Sequence, residues 1–173
     1  MEYTFFVPGK PEPQSRPRFS VRKDRYGRAT GVNARDTEQA KAYKVKVYSC
    51  ALIAFKRNGK VMLSGPLELS LIVWREVPKS YTKKQRQAIH DGMLFPTQKP
   101  DLDNYIKAAL DGVGLKDLPK IIFGDDSQVV KISAQKRFSE SGQLGMAVQI
   151  KELMPTVARG NLGIEGEKLD GRA

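Results

Sequence analysis

The segment from residue 99 to residue 130 constrains the fold of this chain most, because it combines a helix pattern with an unusual concentration of acids. Apolar side chains recur at helical spacing over residues 102–113, which predicts an amphipathic helix. Asp101 and Asp103 stand at its start, directly after a proline, and Lys107 follows Asp103 by about one helical turn. The helix therefore offers an apolar stripe for a core and a charged edge on a different side.

A second acidic pair, Asp125 and Asp126, precedes residues that alternate between apolar and polar over 130–135, which is the pattern of a strand. The two acidic pairs can converge only if the predicted helix packs beside this strand. If the backbone is extended at Asp101 and Asp103, both carboxylates point the same way and can share a cation. If the helix begins at Asp101, the two carboxylates diverge and only one ligates directly.

These acids are an anomaly in a strongly basic chain. Its 173 residues include 30 Lys and Arg against 19 Asp and Glu, for a formal net charge of +11. This excess favours polyanionic partners, with nucleic acid first and an acidic membrane second. Hard cations such as Mg²⁺ take oxygen ligands, so clustered carboxylates in a basic protein suggest a metal ion beside bound phosphates.

Simple counts exclude several classes of protein. No apolar run approaches the length of a membrane span, and the N-terminus lacks the basic and apolar regions of a secretory signal. The single Cys50 excludes an internal disulfide framework and a thiolate zinc site, and the single His90 excludes a histidine-rich metal site. We therefore expect a cytoplasmic protein in which any metal is held by carboxylates.

The remaining patterns predict a single compact domain of the α+β class over residues 1–153, a mixed β-sheet with helices packed on it. The predicted order is strand, basic hairpin or loop, helix, strand, short helix, helix, strand, strand. Ser141 and Gly142 indicate a hairpin turn before the last strand. Residues 154–173 have scattered glycine and charge without a period, which predicts a disordered C-terminal tail.

The segment after the first strand is rich in arginine and proline, and it interleaves basic residues with Phe19 and Tyr26. Basic residues mixed with aromatic ones suit contact with phosphates and stacking on bases. The alternative is a solvated basic loop or hairpin whose aromatic side chains anchor it to the core. For the basic residues as a group we favour phosphate contact. The predicted DNA-binding residues are Arg16, Arg18, Arg22, Lys23, Arg25 and Arg28.

A long helix is predicted after Asp36, which forms a weak capping pattern with Gln39. Lys41, Lys44 and Lys46 lie off the apolar face of this helix. We interpret them as a solvated lysine surface rather than as part of a site.

The acids and the lysine suit hydrolysis of a phosphodiester, because a carboxylate-bound cation can activate a water molecule and neutralise the transition state. Lys107, one turn after Asp103, is placed to balance further negative charge. Each feature alone has a structural explanation. In that explanation Asp103 and Lys107 form an ordinary i,i+4 ion pair, Asp101 is an N-cap, and Asp125 and Asp126 belong to a turn. The functional interpretation depends on their occurrence together in a basic protein.

The stretches DLDNYIK and GDDSQVV resemble the signature of the RusA-type Holliday-junction resolvases, which are common in phages and prophages. That family is similar in showing D-L-D-N-x-x-K followed by a D-D-x-Q-V element, and the arginine-rich GKPEPQSRPRF opening is also of the family's kind. The resemblance is specific over residues 101–130. The tail at 154–173 lies outside it, and the connections at 57–66 and between the two motifs are longer than the family pattern.

The resemblance implies a RusA-like fold and a small homodimeric endonuclease that binds four-way DNA junctions and makes paired nicks with Mg²⁺ or Mn²⁺. It implies Asp101, Asp103 and Asp126 as the metal-binding acids and Lys107 as the catalytic lysine, so these four are the predicted catalytic residues. Asp125 and Asn104 are adjacent supports and are given no direct part.

The function expected from the sequence is therefore Holliday-junction resolution in DNA recombination and repair by a magnesium-dependent endonuclease. A C2 dimer suits this substrate, because a four-way junction has approximate two-fold symmetry. The alternative is a non-catalytic phage DNA-binding or regulatory protein, in which the acids merely cap helices and shape a turn.

Overall fold

The computed structural model describes residues 1–14 and 18–153, with residues 18–20 and 32–35 described by their backbone only. The predicted tail at 154–173 and the predicted DNA contact Arg16 lie outside the described residues, as does the side chain of Arg18. In chain order the elements are β1 (Glu2–Pro8), β2 (Arg18–Lys23), β3 (Ala29–Arg35), α1 (Glu38–Arg57), β4 (Leu67–Arg75), α2 (Lys83–His90), α3 (Leu102–Val113), a 3₁₀ turn (Asp126–Gln128), β5 (Val129–Phe138) and β6 (Gly145–Glu152).

Four of these strands form a mixed sheet in the order β1-β6-β4-β5. β4 runs parallel to β5 and antiparallel to β6, and β1 runs antiparallel to β6. A parallel pair needs a crossover connection, which α2 and α3 supply between β4 and β5. β2 and β3 pair with each other as a separate antiparallel hairpin. The predicted α+β class, a mixed sheet with helices in one compact domain, is confirmed.

One predicted pairing is wrong. The last two strands are not a hairpin, because β4 lies between β5 and β6 in the sheet. Ser141 and Gly142 do lie where the chain turns between these strands, and Gly142 has a φ of 76° that suits glycine. The alternation of a strand shows which residues share a face, but it does not show which strand is the neighbour.

The core lies between one face of the sheet and helices α1 and α3. In strand β4 every second residue from Leu67 to Val73 is buried. α3 packs on α1, and the two helices lie close together at Gly112, where an added Cβ would lie 2.6 Å from the Cβ of Val47. Only glycine permits this approach, so the packing fixes the position of α3, which carries Asp103 and Lys107.

Of the helices that the structure describes, none has the length and apolar character needed to cross a membrane.

Candidate active site

Asp101 is presented by a short segment that two cationic side chains hold in place. Arg75 of β4 donates from Nη1 to two carbonyl oxygens of residues 98–100, each at 2.9 Å. Lys136 of β5 donates from Nζ to the carbonyl oxygens of Gln98, which Arg75 also bonds, and of Pro100, each at 3.1 Å. Asp101 itself occupies the N-cap position of α3 with extended backbone, yet its carboxylate makes no capping hydrogen bond. The side chain is therefore not committed to the local structure.

Asp103 lies in the first turn of α3, and both it and Asp101 are exposed. Because the helix has already begun at Leu102, the extended arrangement in which the two carboxylates point the same way is not present. Among the described residues the Nζ of Lys107 has no carboxylate oxygen within 4.0 Å, so the i,i+4 ion pair with Asp103 is not formed. Lys107 is exposed, and its charge is available to a ligand.

Asp125 and Asp126 differ in what their side chains do. Asp125 caps the 3₁₀ turn by accepting a hydrogen bond from the N–H of Ser127 at 2.9 Å. Hydrogen bonds from Ser127 hold the pKa of Asp125 below its ordinary value. Asp126 is exposed and enters no ion pair in the described part of the chain. The turn explanation therefore applies to Asp125, and Asp126 remains available for a ligand.

Gln128 positions this turn, a role that was not predicted from the sequence. Its Oε1 accepts from the N–H groups of Gly124 and Asp125 at 2.9 and 3.1 Å, and its Nε2 donates to the carbonyls of Leu63 and Gly65, each at 3.2 Å. Asp125 and Gln128 form a capping box, a spacing that is readable in GDDSQ and that could have revealed the residue. Gln128 thus fixes the backbone that carries Asp126.

A cavity of about 740 Å³ opens between α1, α3 and the segment that leads to the 3₁₀ turn. Lys107 and Asp126 both line it, although they come from different elements. Asp101 and Asp103 are not among the residues that line it. Of the three predicted acids, Asp126 therefore shares this cavity with the predicted lysine, and the other two lie at the start of α3.

The available carboxylates suit a hard cation in their chemistry. Asp101, Asp103 and Asp126 offer exposed oxygen donors, which are the ligands that Mg²⁺ prefers. Over residues 1–14 and 18–153, however, no three His, Cys, Asp or Glu side chains lie close enough to hold one metal ion. The metal assignment therefore stays a prediction.

The same cavity contains an ion-pair cluster that corrects the interpretation of Lys44. This lysine is buried at 8% exposure, not solvated. Its Nζ lies 2.8 Å from Asp36 Oδ2 and 2.9 Å from Asp111 Oδ2. The helix cap is Thr37, whose hydroxyl accepts from the N–H of Ala40, so Asp36 is not the cap. The sequence could not show this cluster, because Lys44 and Asp111 are 67 residues apart.

The basic hairpin β2–β3 exposes the predicted DNA-binding side chains that the structure describes, namely Arg22, Lys23, Arg25 and Arg28. Asp24 orders its turn by accepting from the N–H groups of Tyr26 and Arg28 at 2.8 and 2.9 Å. The Arg25 guanidinium lies 4.7 Å from the centroid of the Tyr26 ring. Tyr26 is 69% exposed, so it does not anchor the hairpin to the core, and its ring is accessible to a base.

Comparison with known proteins gives two matches. The family model described as Endodeoxyribonuclease RusA matches residues 8–151. A curated protein of Bacillus subtilis (strain 168), the uncharacterized protein YqaN, is 36% identical over 148 residues, which cover 84% of this chain and 94% of that protein. The family match spans the hairpin, α3 and the 3₁₀ turn.

Proposed function

Because this chain belongs to the RusA endodeoxyribonuclease family, we propose that it resolves four-way DNA junctions by paired, magnesium-dependent phosphodiester cleavage in recombination and repair. The family itself is one of DNA endonucleases. One observation supports junction cleavage at this site: Lys107 lines one cavity with Asp126 and has no carboxylate partner among the described residues. An unpaired lysine that shares a cavity with an uncommitted carboxylate suits a phosphate ligand better than a structural ion pair.

In this proposal each part of the chain has a distinct task. Asp101, Asp103 and Asp126 would hold Mg²⁺, for which Mn²⁺ is a substitute, and the cation would supply Lewis-acid stabilisation of the phosphate charge. Lys107 places a positive charge near the phosphate oxygens, where negative charge develops during cleavage. The hairpin holds the neighbouring phosphates through its arginines and Lys23.

The proposed homodimer would present two equivalent cavities to a junction of approximate two-fold symmetry. β4 and β6 are interior strands of the sheet, so neither offers a free edge for pairing with a second copy. Among the described strands of this sheet, β1 and β5 lie at its edges. An edge-to-edge dimer would therefore form through β1 or β5.

The second candidate function is a non-catalytic DNA-binding protein. It is favoured by one observation, that the described acids form no group of three able to hold a metal ion. In that case the hairpin still binds DNA, but no strand is cut.

Metal dependence separates the two functions. We expect the purified chain to nick a synthetic four-way junction at symmetric positions in Mg²⁺ or Mn²⁺, and to bind without nicking it in EDTA or Ca²⁺. Denaturing gels with each strand labelled in turn would measure the cuts, and a linear duplex of the same sequence is the control. Binding of the junction with no nick in either Mg²⁺ or Mn²⁺ would establish the second function instead.

The hairpin contacts should be visible in the salt dependence of binding. Replacing Arg22 and Arg28 together by alanine should lower the slope of log affinity against log salt by about 1.8, because each lost phosphate contact removes about 0.9. Both side chains are exposed, so the fold should be unaffected. Fluorescence anisotropy over a salt series would measure the slope, with Arg57→Ala as a control at the far end of α1. An unchanged slope would mean that the hairpin is only a solvated surface.

A further inference from the structure

Four side chains join α1, α3 and the chain on both sides of the basic hairpin into one polar cluster, which we call the Lys44 network. Lys44 bonds to Asp36 and Asp111, as described above. Gln14 donates from Nε2 to the other carboxylate oxygen of Asp36, at 2.8 Å. The backbone N–H of Gln14 also donates to the carbonyl of Asn104 in α3, at 2.9 Å. The network consists of Gln14, Asp36, Lys44 and Asp111.

The charges in this network hold one another in place. Burial lowers the pKa of Lys44, but the hydrogen bonds to Asp36 and Asp111 raise it by more than burial lowers it, so the net shift of the pKa is upward. The hydrogen bond from Lys44 holds the pKa of Asp36 below its ordinary value. Asp36 is therefore charged above its ordinary pKa and Lys44 below its own, so the Lys44–Asp36 pair is charged throughout the neutral range.

The network lies at both ends of the basic segment. Gln14 directly precedes residues 15–35, which contain β2 and β3, and Asp36 directly follows them. Within the described residues, β2 and β3 have extensive contact only with each other. The position of the hairpin therefore depends on how its two ends are attached to the domain.

The network also reaches α3 at two points beside the predicted catalytic residues. Asn104, whose carbonyl accepts from Gln14, follows Asp103 directly. Asp111, which pairs with Lys44, follows Lys107 by one helical turn. The two ends of the hairpin segment are thus attached, through these bonds, to both ends of the 104–111 stretch.

We propose that the Lys44 network is a positioning cluster that couples DNA contact by the hairpin to the placement of α3 and its Lys107. This inference rests on the proposed function, because it assigns Lys107 to the reaction. The Nζ of Lys44 is already paired with Asp36 and Asp111, so in this proposal Lys44 acts through α3 and is a positioning residue. Misplacement of a reacting group by about 1 Å costs about a hundredfold in rate.

The test uses the full chain with Lys44→Met. On saturating junction in Mg²⁺, its single-turnover nicking rate should fall by between about tenfold and a hundredfold. Lys44→Arg, which keeps the charge and can bond to both carboxylates, should recover part of the rate. Lys56→Met removes the same charge from an exposed position of α1 and should nick at the wild-type rate.

Asp36→Asn and Asp111→Asn keep the proposal testable if Lys44→Met does not fold. The first weakens the attachment of the hairpin end, and the second weakens the attachment of α3. If one network carries the coupling, the double variant should lose little more nicking rate than the worse single variant. Additive losses, or a lower Tm with wild-type nicking throughout, would overturn the proposal and leave the network a purely structural ion cluster.

A readout without cleavage separates this inference from the proposed function. Junction DNA in Ca²⁺ should slow amide hydrogen exchange in residues 104–111 of the wild-type chain but not in Asp36→Asn. If the wild type never nicks a junction, the proposed function fails, and this exchange difference still tests the coupling. Equal slowing in both proteins would overturn the coupling even if the wild type is an active nuclease.

Discussion

Asp103→Asn should lower the rate of junction nicking by at least about a hundredfold, the scale of loss when a charge-stabilising group is removed from an active site. The asparagine keeps the size of the side chain and removes its charge, so its capacity to hold Mg²⁺ falls. Binding of the junction should be as tight as in the wild type or tighter, because a negative charge near the phosphates is lost. Nicking of a labelled four-way junction and anisotropy in Ca²⁺ would measure the two effects separately.

The fold should tolerate this substitution. Asp103 is exposed, and the hydrogen bond that it receives comes from the neighbouring Asn104 side chain at 3.3 Å. The loss of a negative charge in the first turn of a helix costs about 0.3–1 kcal/mol of unfolding free energy. Asp91→Asn, at the end of α2, is a control with the same change of charge. Wild-type nicking by Asp103→Asn would remove this residue from the metal site, and loss of binding would give it a part in DNA contact or folding.

The elements that a local pattern specifies were predictable from the sequence. The spacing of apolar residues over 102–113 predicts α3, and the alternation over 67–73 predicts β4, because a single period fixes each face. The insertion of β4 between β5 and β6 was not predictable, since two strands with the same alternation can pair directly or lie on either side of a third. Strand order depends on long-range packing that no local window contains.

The candidate site, like the fold, was predictable from the sequence only in part. The motif names Asp101, Asp103, Asp126 and Lys107, and their assignment stays a prediction. The structure adds what holds the backbone at Asp101, namely Arg75 with Lys136, and at Asp126, namely the capping box of Gln128. Lys44 was misread because it stands among other lysines on the polar side of its helix, and only the packing of α3 on α1 buries it. A charged residue on a polar helix face is exposed unless another element covers it.

Lys107→Met should lower the nicking rate by about a hundredfold to a thousandfold on saturating junction, which is the effect of removing one preorganised positive group from a reacting phosphate. Methionine keeps the unbranched side chain and its helix propensity, so α3 should form as before. Lys107 has no carboxylate partner among the described residues, so no stabilising ion pair is lost. The change should therefore appear in the rate and not in the urea midpoint of unfolding.

Binding distinguishes a catalytic lysine from one that merely contacts DNA. If Lys107 acts on the phosphate during cleavage, its substitution should greatly lower the single-turnover rate. It should remove at most about one phosphate contact from binding, which lowers the salt slope of the affinity by about 0.9. Lys84→Met, at an exposed position of α2, is the matched control for loss of one charge. A slope that falls while the saturated rate stays at the wild-type value would assign Lys107 to DNA contact alone. The proposed cleavage would then lack the positive charge that it assigns to Lys107 in the cavity shared with Asp126.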